Sequence, residues 1–261
     1  MTAPHNTFKH ALREGRQLLG LWCALGDDNV AELCARAGFD WLVIDGEHGP
    51  NDLRSILSQL RAVQGSVTAP VVRLPSDDRV TIKRHLDIGA QTLLIPMVES
   101  GEQAREVVRS CRYAPEGARG IGAALARASH YGSIGDYLHT AAQEICILVQ
   151  VETMAGVDAL DAILVVEGID GVFVGPSDLA ADMGYRGNPG CEAVQEVVVS
   201  TIDKILKSEK ACGILAGDTA LASSYRRKGV NFLAVGSDVS VISSGLKALR
   251  GQFAQERKVT G

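Results

Sequence analysis

With 261 residues, 46% of them apolar and only 5% aromatic, the chain can bury one full core and has the small-residue composition of an α/β protein rather than an all-β sandwich. A formal net charge of -5 provides no broad basic surface for a polyanion, so no nucleic acid is expected as a partner. The first twenty residues lack a long apolar run and no later stretch has the length of a membrane span, so the expectation is a cytoplasmic protein with no membrane partner.

In chain order, short apolar runs predict strands at 18–24, 41–45, 70–74, 92–97, 145–151, 171–174, 212–216 and 232–235. Amphipathic stretches at 29–37, 52–63, 79–88 and 191–207 predict helices between them, with Gly38, Gly65, Gly89, Gly168 and Gly229 marking helix ends. Eight such repeats close into a (β/α)8 TIM barrel, an α/β fold expected to take residues 1–261 as a single domain. An open doubly wound sheet is disfavoured, because no GxGxxG follows the first strand. Segment 113–133 breaks the rhythm with Pro115, Gly117, Gly120, Gly122 and Gly132, and is expected to follow the fourth strand and reach over the barrel mouth. Cys23, Cys34, Cys111, Cys146, Cys191 and Cys212 are scattered without CxxC spacing and are expected to pack as small hydrophobes.

Chemistry in such a barrel sits at the carboxyl ends of the strands, and the polar residues predicted there form a coherent set. Strand two ends in Asp45, Gly46, Glu47 and His48; strand three holds Arg73; strand five ends in Gln150 and Glu152; strand six runs into Ser177 and Asp178. Gln150 and Glu152 are two apart and share a strand face. A lone Glu there could equally be an ion-pair partner of Arg, but with Asp178 on the adjacent strand the two carboxylates repel, and one divalent ion relieves this. Oxygen donors favour Mg2+ or Mn2+, or Co2+, over zinc.

Arg73 either pairs with Glu47 or Glu152 or meets an oxyanion beside the metal, the reading favoured here. His48 either braces the loop or transfers a proton; its place in a Gly-flanked acidic turn favours the second. His5, His10, His85 and His139 are expected to be solvated. Lys9, Lys83, Lys204, Lys207, Lys210, Lys228, Lys247 and Lys258 fall in terminal, helical or loop contexts, so no Schiff-base lysine is expected at a strand end.

These motifs, together with Leu21-Trp22, Val72-Arg73-Leu74, Pro115-Glu116-Gly117-Ala118-Arg119-Gly120, Gln150-Val151-Glu152-Thr153 and Gly175-Pro176-Ser177-Asp178-Leu179, make the chain resemble the HpcH/HpaI aldolases over almost its whole length. The resemblance implies a class II pyruvate aldolase that cleaves 4-hydroxy-2-oxo acids to pyruvate and an aldehyde. It implies Glu152 and Asp178 as ligands of one divalent metal per subunit, Arg73 on the enolate oxygen, and His48 acting with Asp87 as the base. Trp22, Gln150 and Leu215 would line the pocket, and N–H groups near Ser177 would hold the pyruvyl carboxylate. It also implies a homohexamer with C-terminal helices packed across subunits, for which Leu246, Leu249 and Phe253 could supply an apolar face; the alternative is packing on the chain's own barrel. Where relatives often carry Arg in the long loop, this chain has His130, so the substrate stays open between 4-hydroxy-2-oxoheptanedioate, giving succinic semialdehyde, and a 2-keto-3-deoxy sugar acid, giving lactaldehyde or a hydroxyaldehyde. The competing readings are an acyl-CoA lyase of the malyl or citramalyl type and a non-catalytic barrel that binds a 2-oxo acid.

Overall fold

Each predicted apolar run is a strand because it is covered on both faces, by helices outside and by packed side chains within. The computed structural model describes residues 1–254. In it β1 (Leu18–Cys23), β2 (Trp41–Asp45), β3 (Ala69–Arg73), β4 (Thr92–Ile95), β5 (Cys146–Val151), β6 (Gly171–Val174), β7 (Ala211–Leu215) and β8 (Phe232–Ser237) pair in parallel with their sequence neighbours. Pairing of β8 with β1 closes the barrel.

The helices are α1 (Thr7–Arg13), α2 (Asp28–Ala35), α3 (Leu53–Ala62), α4 (Arg79–Asp87), α5 (Gly101–Cys111), α6 (Tyr137–Glu144), α7 (Met154–Asp158), α8 (Leu160–Leu164), α9 (Pro176–Asp182), α10 (Glu192–Leu206), α11 (Thr219–Lys228) and α12 (Asp238–Ala254). The four predicted helices appear within two residues at each end. Side chains set their starts: Asp27, Asp78, Ser100 and Asp218 each accept an N–H from the first turn, and Asp52 and Ser55 form a reciprocal capping box. Gly229 ends α11 at φ +104°, a backbone conformation that a side chain would strain. Among the described residues no helix is long and apolar enough to cross a membrane. All six cysteines are free.

Strand alternation sorts side chains into two layers. Trp22, Trp41, Val43, Val71, Leu94, Leu148, Phe173 and Phe232 belong to the barrel interior, while Ile44, Val72, Leu93, Ile95 and Val149 join the larger cluster beneath the helices. Gly20 and Gly213 occupy interior strand positions where a Cβ would collide with the rings of Trp41 and Phe232, so two glycines make room for two large aromatics. The base of the barrel is closed by α1, whose Phe8 packs on Trp41 and Phe232 at centroid distances of 5.8 and 5.9 Å.

Two expectations are corrected here. Segment 113–133 follows α5 rather than strand four, because β4 ends at Ile95 and an eleven-residue helix carries the chain back to the amino-terminal face first. The segment therefore packs near the base: Arg127 donates to Ile88 O and Gln64 Oε1, both at 3.0 Å, beyond the C-terminal ends of α4 and α3. Lys9 lies in the terminal helix α1, as expected, and is buried there, donating to Ile145 O and lying 3.4 Å from Asp170. His85 is buried too, with Nδ1 2.8 Å from Thr81 O, and burial depresses its pKa, with Arg84 adding to the shift against that hydrogen bond. The last lysine, Lys258, lies outside the described residues.

Candidate active site at the barrel mouth

The inward-facing series that is apolar at the base turns polar at the carboxyl ends. Trp41 and Val43 lead to Asp45 on β2, Val71 to Arg73 on β3, Leu148 to Gln150 and then Glu152 on β5, and Ala211 to Leu215 on β7. The mouth is thus a continuation of the core by other side chains. Leu215, half-buried, packs against the interior cluster that also contains Trp22.

Register places Arg73 opposite Asp45 on the neighbouring strand. Its guanidinium forks onto that carboxylate through Nε at 3.0 Å and Nη2 at 2.7 Å, and Nη1 meets Glu47 Oε2 at 2.8 Å. The sequence offered Glu47 or Glu152 as partners; the fold selects Asp45 and Glu47. Arg73 also lies over the Trp22 ring, 4.9 Å from its centroid, and Trp22 Nε1 donates to Asp45 Oδ2 at 3.1 Å. Burial alone would push the Asp45 carboxyl up, but Arg73 and the N–H groups of Glu47 and His48 hold it below the usual range. Asp45 is therefore a fixed anion that orients Arg73 through two of the guanidinium's five N–H donors, while Nη1 is held by charge beside Glu47.

Glu152 is 2% exposed. Its Oε1 accepts the Met97 N–H at 2.9 Å and Oε2 accepts the Gln150 amide. Gly175 makes this possible, since a Cβ there would stand 2.6 Å from Glu152 Oε2. Burial raises the Glu152 carboxyl to about 7 against those two hydrogen bonds, and the charges of Glu47 and Asp178 raise it further. Burial likewise raises Glu47, with Arg73 and His48 opposing and Asp45 and Asp178 reinforcing. Three carboxylates, Glu47, Glu152 and Asp178, thus feel one another at one rim, and Gln150 Oε1 beside them is a buried acceptor without a hydrogen-bond partner among the described residues. Asp178 and Ser177 are exposed in the first turn of α9, whose start Pro176 fixes.

His48 reaches the same rim. Its side chain is 67% exposed, with Nε2 4.0 Å from Glu47 Oε2, and its N–H donates to Asp45 Oδ1 at 3.2 Å. Asp87 is not brought to it: the last residue of α4 lies at the amino-terminal face, 2.6 Å from Arg119 Nη2, whereas His48 follows the carboxyl end of β2. Within one chain a barrel wall separates the two. His130 is exposed in the long loop, at φ 52°, on the same face as Asp87.

Three contributors escaped sequence reasoning. Met97 takes a left-handed φ of 54° to aim its N–H at Glu152, and a methionine gives no warning of that conformation. Asp238, 2% exposed, accepts the N–H groups of Ala24 and Leu25 at 3.0 Å and joins the chain after β8 to the chain after β1; its signal was an acid directly after the last strand. Glu47 was read only as an Arg73 partner, yet it is also the third acid of the rim.

Fold and site together define a (β/α)8 enzyme barrel whose mouth combines an acidic rim with a buried, oriented arginine. The sequence pattern of the HpcH/HpaI aldolase/citrate lyase family matches residues 18–244. The hydroxypyruvate/pyruvate aldolase of Roseovarius nubinhibens is 57% identical over 243 residues, 93% of this chain and 95% of that protein. The 4-hydroxy-2-oxo-heptane-1,7-dioate aldolase of Salmonella arizonae is 50% identical over 256 residues, 98% and 97% of the two chains. A crystal structure of an HpcH/HpaI aldolase/citrate lyase family protein from Burkholderia cenocepacia superimposes with a TM-score of 0.91 at 40% identity, covering 97% of this chain and 99% of that one. The chain belongs to the HpcH/HpaI aldolase/citrate lyase family and is an aldolase, a carbon–carbon lyase.

Proposed function

We propose that the chain cleaves 4-hydroxy-2-oxo acids reversibly to pyruvate and an aldehyde, using one divalent cation held by Glu152 and Asp178. The observation that carries this is the mutual repulsion of Glu47, Glu152 and Asp178 at a rim that also holds Arg73: three acids and one committed guanidinium leave a deficit of positive charge. The all-oxygen donor set, with Gln150 Oε1 unpartnered beside it, fits Mg2+, Mn2+ or Co2+. Bound there, such an ion supplies Lewis-acid withdrawal of electrons from a 2-oxo carbonyl.

The chain's own groups account for the remaining steps. His48, exposed at the rim beside Glu47, takes the proton of the substrate's C4 hydroxyl. The C4 carbonyl forms as the C3–C4 bond breaks, and the electron pair passes to the enolate of pyruvate. Arg73 keeps N–H donors on its outer nitrogens for that oxyanion, in a position fixed by Asp45 and Trp22 before substrate arrives. Protonation at C3 releases pyruvate. Trp22, Gln150 and Leu215 bound the pocket, and the first turn of α9 at Ser177 offers N–H groups to the carboxylate. The name of the Roseovarius relative adds hydroxypyruvate as a donor for the reverse, bond-forming direction.

Asp87 can assist His48 only from another copy of the chain, which suits a homohexamer. Leu246, Leu249 and Phe253 on α12 are 63%, 55% and 61% exposed, so they do not pack on their own barrel and are free to cover a neighbour.

The test is pyruvate release from a panel of 4-hydroxy-2-oxo acids, with EDTA and then with Mg2+, Mn2+ or Co2+ restored. Activity is expected to vanish on chelation and return with the ion. Turnover that survives complete chelation, or a borohydride-trapped adduct, would overturn the reading in favour of a Schiff base; among the described lysines, Lys9 is buried at the opposite end of the barrel.

A further inference from the structure

Arg119 is the most deeply buried cation of the long loop: its side chain is 0% exposed, and Nη2 donates to Asp87 Oδ1 at 2.6 Å. The other end of that ion pair is open. Asp87 has a side chain 27% exposed, and its Oδ2 has no hydrogen-bond partner among the described residues. His48 at the mouth is the converse case, exposed and with Nε2 4.0 Å from Glu47 Oε2, beyond hydrogen-bond range. We propose that Arg119 is a positioning residue for the reaction, holding Asp87 so that Oδ2 accepts from the His48 imidazole of a second copy of the chain. This role rests on the reading of His48 as the base and of Asp87 as its partner across subunits.

The local sequence builds Arg119 into place. Ala118 N–H on Arg109 O at 2.7 Å and Arg119 N–H on Arg112 O at 2.8 Å fold the chain back onto the end of α5. Only glycine fits the turn at 117, where a Cβ would collide with the Arg109 and Arg112 carbonyls. The guanidinium then lies over the Tyr113 ring, 4.5 Å from its centroid, so its direction is set from two sides. An imidazole base works best when an acceptor on one ring nitrogen holds its tautomer and leaves the other nitrogen for the substrate. Within its own chain His48 has no such acceptor among the described residues.

A purely structural pin between loop and helix does not need this pair. Arg127 already ties the loop to the end of α4 through Ile88 O, one residue beyond Asp87. A surface partner for Asp87 is also at hand, since Lys83 stands one turn back on the same helix, yet the carboxylate pairs with the buried arginine. Both placements cost stability: Asp87 is an anion in the last turn of α4, where the helix dipole disfavours it, and Arg119 gives up its hydration. Unfavourable placements that persist together point to function.

The experiment measures pyruvate release from 4-hydroxy-2-oxoheptanedioate with Mg2+ by His48→Ala, Asp87→Asn and Arg119→Lys chains, alone and as hybrids purified through two tags after coexpression. Alone, each should be impaired, Arg119→Lys by up to about 10²-fold in kcat with KM unchanged, the cost of misplacing a group by about 1 Å. In hybrids with His48→Ala, both Asp87→Asn and Arg119→Lys should regain turnover, because each of those chains keeps its own His48 and receives an intact Asp87–Arg119 pair from its neighbour. A hybrid of Asp87→Asn with His48→Ala that stays inactive would overturn the cross-subunit reading itself. Recovery there but not with Arg119→Lys, or near-normal kcat for Arg119→Lys alone, would overturn only the role of Arg119 and leave it a brace of its own barrel. Arg119→Gln, with no charge to bury, repeats the test should the lysine variant lose its native circular dichroism.

Discussion

The two ends of the barrel are built from the same inward-facing strand positions and differ in what those positions carry. At the base, Phe8, Trp41 and Phe232 fill the lumen and α1 seals it; at the mouth, the continuation of the same alternation delivers Asp45, Arg73, Gln150 and Glu152. A few strand residues separate a region whose energy goes into folding from one whose buried charges work against it. The lesson is that strand direction, not sequence distance, decides which polar residues become chemistry.

The comparison predicts that the two ends break differently. Phe232→Ala, at the base, should cost about 3–5 kcal/mol of stability in chemical denaturation, with turnover per folded molecule near normal; a large loss of turnover in the folded fraction would show that the ends are coupled. Arg73→Lys, at the mouth, should reverse the pattern, lowering kcat about 10²–10³-fold, or about 3 kcal/mol of barrier, while circular dichroism stays native. Near-normal kcat would remove Arg73 from the mechanism.

Titration separates the ends further. With the Glu152 carboxyl at about 7 against an ordinary 4.5, the cation-free protein retains a proton that the unfolded chain has lost, so its stability should decline as pH rises from about 4.5 through about 7. Cation binding needs the deprotonated form, so calorimetry should find affinity weakened about tenfold one pH unit below that value, and flat above it. At the base, His85 is depressed below 6.5 by burial, so its contribution is present above that pH and lost as pH falls below it. His85→Gln should flatten that acid slope in urea denaturation, the smallest of these effects; an unchanged slope would place the titration elsewhere.

Most of the frame was legible because period-two alternation and helix caps are local signals: all eight strands and the role of Asp52 as a helix start follow from neighbours in sequence. Asp45, Arg73, Gln150 and Glu152 were legible as mouth residues for the same reason, since strand ends inherit the parity of the strand. What depends on the third dimension was not. The side of the barrel to which segment 113–133 returns required counting α5, and the pairing of Asp87 with Arg119 rather than His48 follows from that geometry. His85 read as solvated because helices show burial only through a face, and a lone polar residue on an apolar face leaves no trace in the pattern. The left-handed turn at Met97 is imposed by its surroundings and has no local signature.

The pairing of Asp45 with Arg73 across adjacent strands carries a consequence for assembly of the sheet. Sliding β3 by a single residue against β2 would rotate the guanidinium out among the helices and strand the Asp45 anion in the lumen, a misfold penalised by several kcal/mol. The two charges that meet at the barrel mouth therefore also proofread the alignment of the strands that bear them.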